Sequence, residues 1–407
     1  VGNISYFCIV KRLKRYFRYS LTSLFLFSFC NAFAATDEVG DSIEISLLTC
    51  QPHQEVYSLY GHTAIRYRDR RNGTDIAVNY GMFSFRKPFF VLRFIFGLTD
   101  YEMGIEPFED FCAQYASYGS GVRQQTLRLS KEDKTAIEKA ITKNYLPENR
   151  VYRYNYFYDN CTSRARDILL NNMRERVIYT SVVHPEVSFR DMVHACCKDA
   201  PWTKFGNDLL LGVMADRKTT RTEQQFLPDH LRKDFDHALI VGKKKVPLVA
   251  HSFWVVPPGV QTIEESFPLN PAICGIILLI VSLVMMGIEL WKRRICWAYD
   301  ALLMLTTGLA GIVLFAMIFS QHPTVSLNLQ ILLLNPLALV MLYPVTKATI
   351  KKRRSKWWIA EAVFLLLFFI GAFVQTYAEG MYALALALLT RCVIHQLLRP
   401  KSYALTA

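Results

Sequence analysis

The sequence predicts an exported α+β domain followed by an all-α transmembrane domain of five helices. Three observations carry that prediction. The chain of 407 residues is 52% hydrophobic and only 20% charged, below the quarter usual for a soluble domain. The apolar excess gathers in five long runs between Ile273 and Leu398. The stretch before them mixes strand-like alternation with capped helical segments. A soluble enzyme and a disordered chain are both excluded. The net charge of +13 sits mainly at the two ends, in Lys11, Arg12, Lys14, Arg15 and Arg18 and again after residue 270. Residues 35–270 hold as many acidic as basic side chains, so no nucleic-acid partner is expected.

Taken in order, residues 1–34 read as a signal peptide. A basic segment precedes the short apolar run Leu21–Phe29 and then Ala32-Phe33-Ala34, a cleavage pattern. The exported domain is expected over 35–245. Ser42–Cys50 and His62–Asp69 read as strands, and Arg71-Asn72-Gly73 as a hairpin turn into a partner strand over Asp75–Phe83. Ser130–Asn144 reads as a helix capped by Ser130 with Asp133 three residues on, and Cys161–Met173 as a second helix. Five cysteines fall in this domain, Cys50, Cys112, Cys161, Cys196 and Cys197, an odd number that leaves at least one thiol unpaired within the chain. None of the spacings resembles a metal site, and no metal or cofactor is expected.

Val246–Pro271, with five prolines, reads as a linker. Five spans follow at 272–291, 299–319, 327–344, 357–377 and 381–398, each about the 20 residues that cross a hydrocarbon core. Lys292, Arg293 and Arg294, then the cluster Lys347–Lys356, then Arg391, Arg399 and Lys401 mark one side, whereas the loops 320–326 and 378–380 hold no Lys or Arg. The positive-inside rule then puts the tail 399–407 in the cytoplasm and residues 35–270 in the periplasm, on an inner-membrane protein. Glu289 and Asp300 read as solvated residues at the cytoplasmic border. Asn328 and His322, in or beside the short outer loop, are candidates for lipid contact.

The chemistry concentrates in Tyr154-Asn155-Tyr156-Phe157-Tyr158-Asp159-Asn160-Cys161. An N-cap residue leads straight into a helix whose first residue is a thiol, where free N–H groups and the helix dipole favour the thiolate. A buried inert cysteine is the competing reading. A base would decide between them. Of the seven histidines in residues 35–270, His62 is best placed, opening a strand behind Gly61, with His62, Ala64 and Arg66 on the face away from Ile65 and Tyr67. Arg164 and Arg166 could meet a phosphate, though on a charged helix they read more readily as surface ion pairs.

Gly61-His62 opening a strand and Asn160-Cys161 opening a later helix together resemble the circularly permuted papain-like fold, shared by NlpC-type peptidases and lecithin-retinol acyltransferases. Thr162-Ser163-Arg164 departs from the usual continuation of that motif. A closer resemblance spans most of the chain. Tyr57-Ser58-Leu59-Tyr60-Gly61-His62-Thr63-Ala64, Val78-Asn79-Tyr80-Gly81, Tyr152-Arg153-Tyr154-Asn155 and Asp159-Asn160-Cys161 occur in that order. Asp208-Leu209-Leu210-Leu211-Gly212 and Phe226-Leu227-Pro228-Asp229 follow. With five membrane helices after them, these are similar to the Lnb family, lipoprotein N-acyltransferases of Bacteroides-type bacteria.

The resemblance implies transfer of a fatty acyl chain from a phospholipid, through a Cys161 thioester, to the α-amino group of a diacylated apolipoprotein. His62 would be the base and Asn79 its orienting partner. Asn160, Tyr60, Arg164 and His322 would contact substrate. A two-residue turn at Asn72-Gly73 would set position 83 opposite His62 and leave Asn79 out of register. A membrane-tethered peptidase or amidase, a phospholipase, and a non-enzymatic envelope protein with a structural cysteine are the alternatives.

Overall fold

The computed structural model describes residues 42–398 apart from 54, 56–57, 84–87, 181–185 and 261–266. The signal segment, His184 and the tail 399–407 lie outside the described residues. β1 (Ile43–Cys50), β2 (His62–Asp69) and β3 (Thr74–Met82) form an antiparallel meander. Then come α1 (Phe90–Ile95), β4 (Asp100–Pro107), α2 (Phe108–Ser117), β5 (Val122–Leu127), α3 (Lys131–Tyr145), β6 (Val151–Arg153) and α4 (Cys161–Leu170). β7 (Arg176–Tyr179), α5 (Phe189–Cys196), α6 (Pro201–Leu210), α7 (Arg221–Gln224), α8 (Pro228–Asp236), β8 (Ala238–Val241), β9 (Lys245–Pro247) and β10 (Val249–Val256) complete the N-terminal domain. The main sheet is antiparallel with the order β10-β5-β1-β2-β3-β4-β6, and β7-β8-β9 make a small second sheet. The fold is α+β, as the mixed periodicities predict.

Both faces of the main sheet are buried. Ile45, Leu47, Ile65 and Val78 meet α3, α4 and α8 through Ile137, Ala165, Leu169, Leu231 and Phe235. The other face, expected to lie away from the core, is covered by α2: Leu48, Ala64, Ala77 and Val122 cluster with Phe111. Arg66 on this face is stacked 3.6 Å from the Phe108 ring and paired to Asp75. In β2 and β3 alternation marks only one apolar face, because their second face is built of alanines and the stem of an arginine.

Two local expectations need correction. The β2–β3 hairpin closes at Asp69 and Thr74, so the loop is the four residues Arg70–Gly73 and Ala64 stands opposite Asn79. Asp69 accepts from Arg71 and Asn72 accepts from Thr74 N–H, side-chain bonds that stabilise the longer loop. Second, Val249–Val256 lies within the expected linker but pairs with β5 as the sheet's edge strand. The β-branched and aromatic run sits between prolines 247 and 257, which bound a strand at an edge.

Five apolar helices follow: α9 (Pro271–Lys292), α10 (Trp297–Met317), α11 (Leu337–Ile350), α12 (Trp357–Gly371) and α13 (Met381–Leu397). α9, α10 and the segment Leu329–Ile350 are long and apolar enough to cross a membrane; α12 and α13 are shorter. The third span is broken, a 3₁₀ turn at Leu329–Leu332 preceding Asn335-Pro336 and α11, because proline removes a helical donor. The fourth stops at Gly371, short of the expected 377. Glu289 and Asp300 are not solvated: each is 2% exposed. Arg391 on α13 donates to both, and His395 Nε2 lies 2.8 Å from Asp300.

The N-terminal domain is docked onto the outer ends of these helices rather than tethered above them. Asn328 donates to the Leu209 carbonyl at 2.8 Å, Gln330 to Asp208 at 2.8 Å, and Gln375 to Leu211 at 3.2 Å. Gly212 and Val213 N–H groups donate back to Thr324 and Leu327. Asn328 therefore serves this junction. Arg190, 1% exposed, braces the same segment from behind through Asp208 and Asp216. The motif Asp208–Gly212 is thus a backbone socket for buried amides of the membrane region.

Candidate active site

Cys161 is the first residue of α4. Asn160 is its N-cap, accepting from the N–H groups of Thr162 and Ser163 at 3.0 and 2.9 Å, while Asn160 N–H donates back to the Ser163 hydroxyl. Asn160 Nδ2 also donates to the Tyr156 and Phe226 carbonyls. Its place in the motif is thus explained by capping and by fastening the aromatic segment. Among the described residues no acceptor takes the Cys161 backbone N–H. Because α4 packs across β2 and β3, the thiol lies over their ends. Gly81, with φ +84, leaves room there: a Cβ would stand 3.7 Å from the Cys161 Cβ. Gly61 has φ +74, and a Cβ would come within 2.7 Å of the Cys50 carbonyl oxygen. That close approach is what requires glycine before His62.

His62 opens β2, and the hairpin register brings Asn79 to it, with Nε2 and Oδ1 3.0 Å apart. Asn79 Nδ2 donates to Glu106 Oε1 at 2.6 Å, a residue that no motif singles out. β3–β4 pairing places it there. An ionised carboxylate only accepts, so Glu106 turns the amide nitrogen toward itself and the amide oxygen toward His62. His62 Nε2 must then donate, which leaves Nδ1 for the thiol. The imidazole and the Cys161 thiol are close enough that each shifts the titration of the other.

Burial pushes the Cys161 thiol up, but the neighbouring imidazolium, its hydrogen bond, the Thr63 N–H and the Thr162 hydroxyl outweigh it and hold the thiol below its usual range. Burial pushes His62 down, and the thiolate, Asn79 and Glu106 outweigh that and raise it. Glu106 is raised by its own burial, against Asn79 and His62. A thiolate–imidazolium pair is the arrangement these opposite shifts favour. Desolvation without such a partner drives Cys112 up to about 11 and Cys196 up to about 12.

The pair opens into a cavity of about 540 Å³ whose walls are rich in aromatic rings, among them Tyr80, Phe83, Tyr101, Tyr154 and Phe226. Met317, His322, Thr324 and Val325 close it from the membrane side, so both parts of the chain build one chamber. Tyr60 lines it, its hydroxyl held by Asn207 at 2.8 Å and Cys197 at 3.3 Å. His322 lines it too, facing Phe94. Arg164 does not: it is paired to Asp159 at 2.6 Å and stacked 3.4 Å over Tyr152. Arg166 is likewise engaged, by Asp167 and the Thr222 carbonyl. Both guanidinium groups thus have partners within the chain. Among the described residues, no group of three or more His, Cys, Asp or Glu could hold a metal ion.

Residues 33–194 match the family described as the Lnb N-terminal periplasmic domain, and residues 262–402 match the Lnb transmembrane domain. No curated protein and no solved structure was found to match. The first match includes His62, Asn79 and Cys161 and the second includes Met317, His322, Thr324 and Val325, and they agree with a membrane protein whose N-terminal part is periplasmic.

Proposed function

The chain belongs to the Lnb family, and from that premise we propose that it is an apolipoprotein N-acyltransferase with Cys161 as nucleophile, His62 as base and Asn79 as the residue that orients it. The observation that carries this reading is a depressed thiol beside a raised imidazole at the floor of an apolar chamber that the membrane helices help to wall. The thiolate attacks an ester carbonyl of a phospholipid. The Cys161 N–H, left open by the Asn160 cap, faces the developing oxyanion. The intermediate collapses, the ester C–O bond breaks, and the His62 imidazolium protonates the departing lysophospholipid. An acyl thioester and a neutral imidazole remain. The neutral α-amine of a diacylglyceryl-cysteine then attacks the thioester, His62 takes the amine proton, and the thiolate leaves. Thiolate and imidazolium are restored. Aromatic walls exclude the water that would otherwise hydrolyse the thioester. Topologically, the basic loops are cytoplasmic and the cavity is periplasmic.

The test is direct. Wild-type protein incubated with phospholipid alone is expected to accumulate a hydroxylamine-sensitive acyl adduct on Cys161. A diacylated peptide with a free N-terminus discharges it, and an N-acetylated peptide does not. Cys161→Ala forms no adduct. A peptidase would acquire no lipid, a phospholipase would discharge without peptide, and triacylation by Cys161→Ala would overturn the proposal.

A further inference from the structure

Helix α1 is short, and Phe89, which precedes it, and Leu92 within it face outward instead of joining the core. Phe89 is 76% exposed and Leu92 53%, with Leu98 beyond the helix at 38%. Contiguous exposed apolar surface marks an interaction site. Its position says what covers it. The Gln321 N–H, in the outer loop after α10, donates to the Phe96 carbonyl at 3.1 Å. Gly97 has φ +68, and a Cβ there would stand 3.1–3.4 Å from Gln321 atoms, so the two loops touch backbone to backbone. Just before Gln321, α10 and its end present Phe315 and Phe319, 49% and 65% exposed, on a helix apolar enough to cross a membrane. The apolar surface therefore runs from a span directly onto α1. Arg93, the helix's basic residue, is paired with the Leu98 carbonyl and Asp100, its side chain 43% exposed.

We propose that α1 lies in the outer half of the bilayer, with Phe89 and Leu92 among lipid chains. There it forms the lip over which a donor acyl chain slides into the Cys161 chamber. Phe94, on the same helix, lines that chamber, so a chain crossing α1 stays in apolar contact all the way. A partner protein is the lesser candidate, because the patch is continuous with surface that lipid already covers. The passage of the donor chain rests on the acyl-transfer reading; the seating of α1 in lipid does not.

The experiment keeps the two apart. Leu92 is replaced by benzoylphenylalanine in the full chain and irradiated in native membranes, with the same replacement at Phe319 as reference. Phospholipid adducts are expected at both positions. Adducts at Phe319 alone, or a protein adduct at Leu92, would overturn the seating of α1. The second arm compares Cys161 acylation in a Phe89→Asp/Leu92→Asp variant from bilayer phospholipid and from a water-soluble short-chain thioester. The bilayer donor should slow about tenfold or more while the soluble donor is unaffected. Equal rates from the bilayer donor in variant and wild type, or equal slowing with both donors, would overturn the lip. A wild type that takes no acyl group from either donor would sink the acyl-transfer reading, and the crosslinks would still decide where α1 sits.

Discussion

Glu106→Ala tests the innermost part of the site without touching substrate. The bond it removes, Asn79 Nδ2 to Glu106 at 2.6 Å, links an amide to a carboxylate, a class worth about 1.5–3 kcal/mol. Asn79 is only 6% exposed, so water cannot freely replace the lost acceptor. The amide is then free to turn its nitrogen toward His62 Nε2, donor against donor, and the ring loses its fixed direction. If that whole cost falls on the transition state, Cys161 acylation slows roughly ten- to a hundredfold. Glu106→Gln keeps an acceptor without the charge and should lose only a few-fold. The pH profile gives a second reading. Glu106 raises the His62 pKa, so removing its charge lowers that pKa, the imidazolium is lost at lower pH, and the alkaline limb moves down in both variants. Single-turnover acylation followed across pH, with thermal unfolding as a control for folding, measures both effects. A stable Glu106→Ala protein with the wild-type rate and the wild-type alkaline limb would refute the relay from Glu106 through Asn79 to His62.

Alkylation of Cys161 by iodoacetamide should persist below the usual thiol range and fade as the pH drops through its depressed pKa. In His62→Ala the midpoint should rise, while Cys112 and Cys196 stay unreactive near neutrality because burial has pushed them up; an unmoved midpoint would mean that the imidazole does not support the thiolate. Gly61→Ala forces a side chain into positive φ and against the Cys50 carbonyl. Strain of about 1–3 kcal/mol should appear as a Tm lower by several degrees, and wild-type Tm would contradict the close approach.

The sequence makes legible what local chemistry marks. Asn160 before Cys161 announces a helix start, and the cap geometry is as the residue types require. Ser130 and Asp133 form the expected capping box for the same reason. The five apolar runs stand out because hydropathy accumulates over a whole span. Glu106 is illegible because its partner lies 27 residues away and only the β3–β4 register brings them together. Asn79 falls out of register on a turn two residues too short, since Asn-Gly suggests a tight hairpin while Asp69 and Asn72 stabilise a wider one. The charges of Glu289 and Asp300 look solvated in the sequence because their counter-ion, Arg391, is supplied by a distant helix. Strand β10 is hidden by the prolines that flank it.

The charge cluster within the membrane region also sets a sequence of events in biogenesis. Arg391 sits on the last span, on the side that carries the basic loops, and is fully buried, where an arginine left without its counter-ions is costly. Its counter-ions are synthesised 91 and 102 positions earlier, on the second and first spans. Until α13 arrives, Glu289 and Asp300 carry unmatched charge through the making of α11 and α12; until α9 and α10 are assembled, α13 has nowhere to place Arg391. The last helix is therefore a keystone: a chain truncated before Arg391 would leave two buried carboxylates without their arginine.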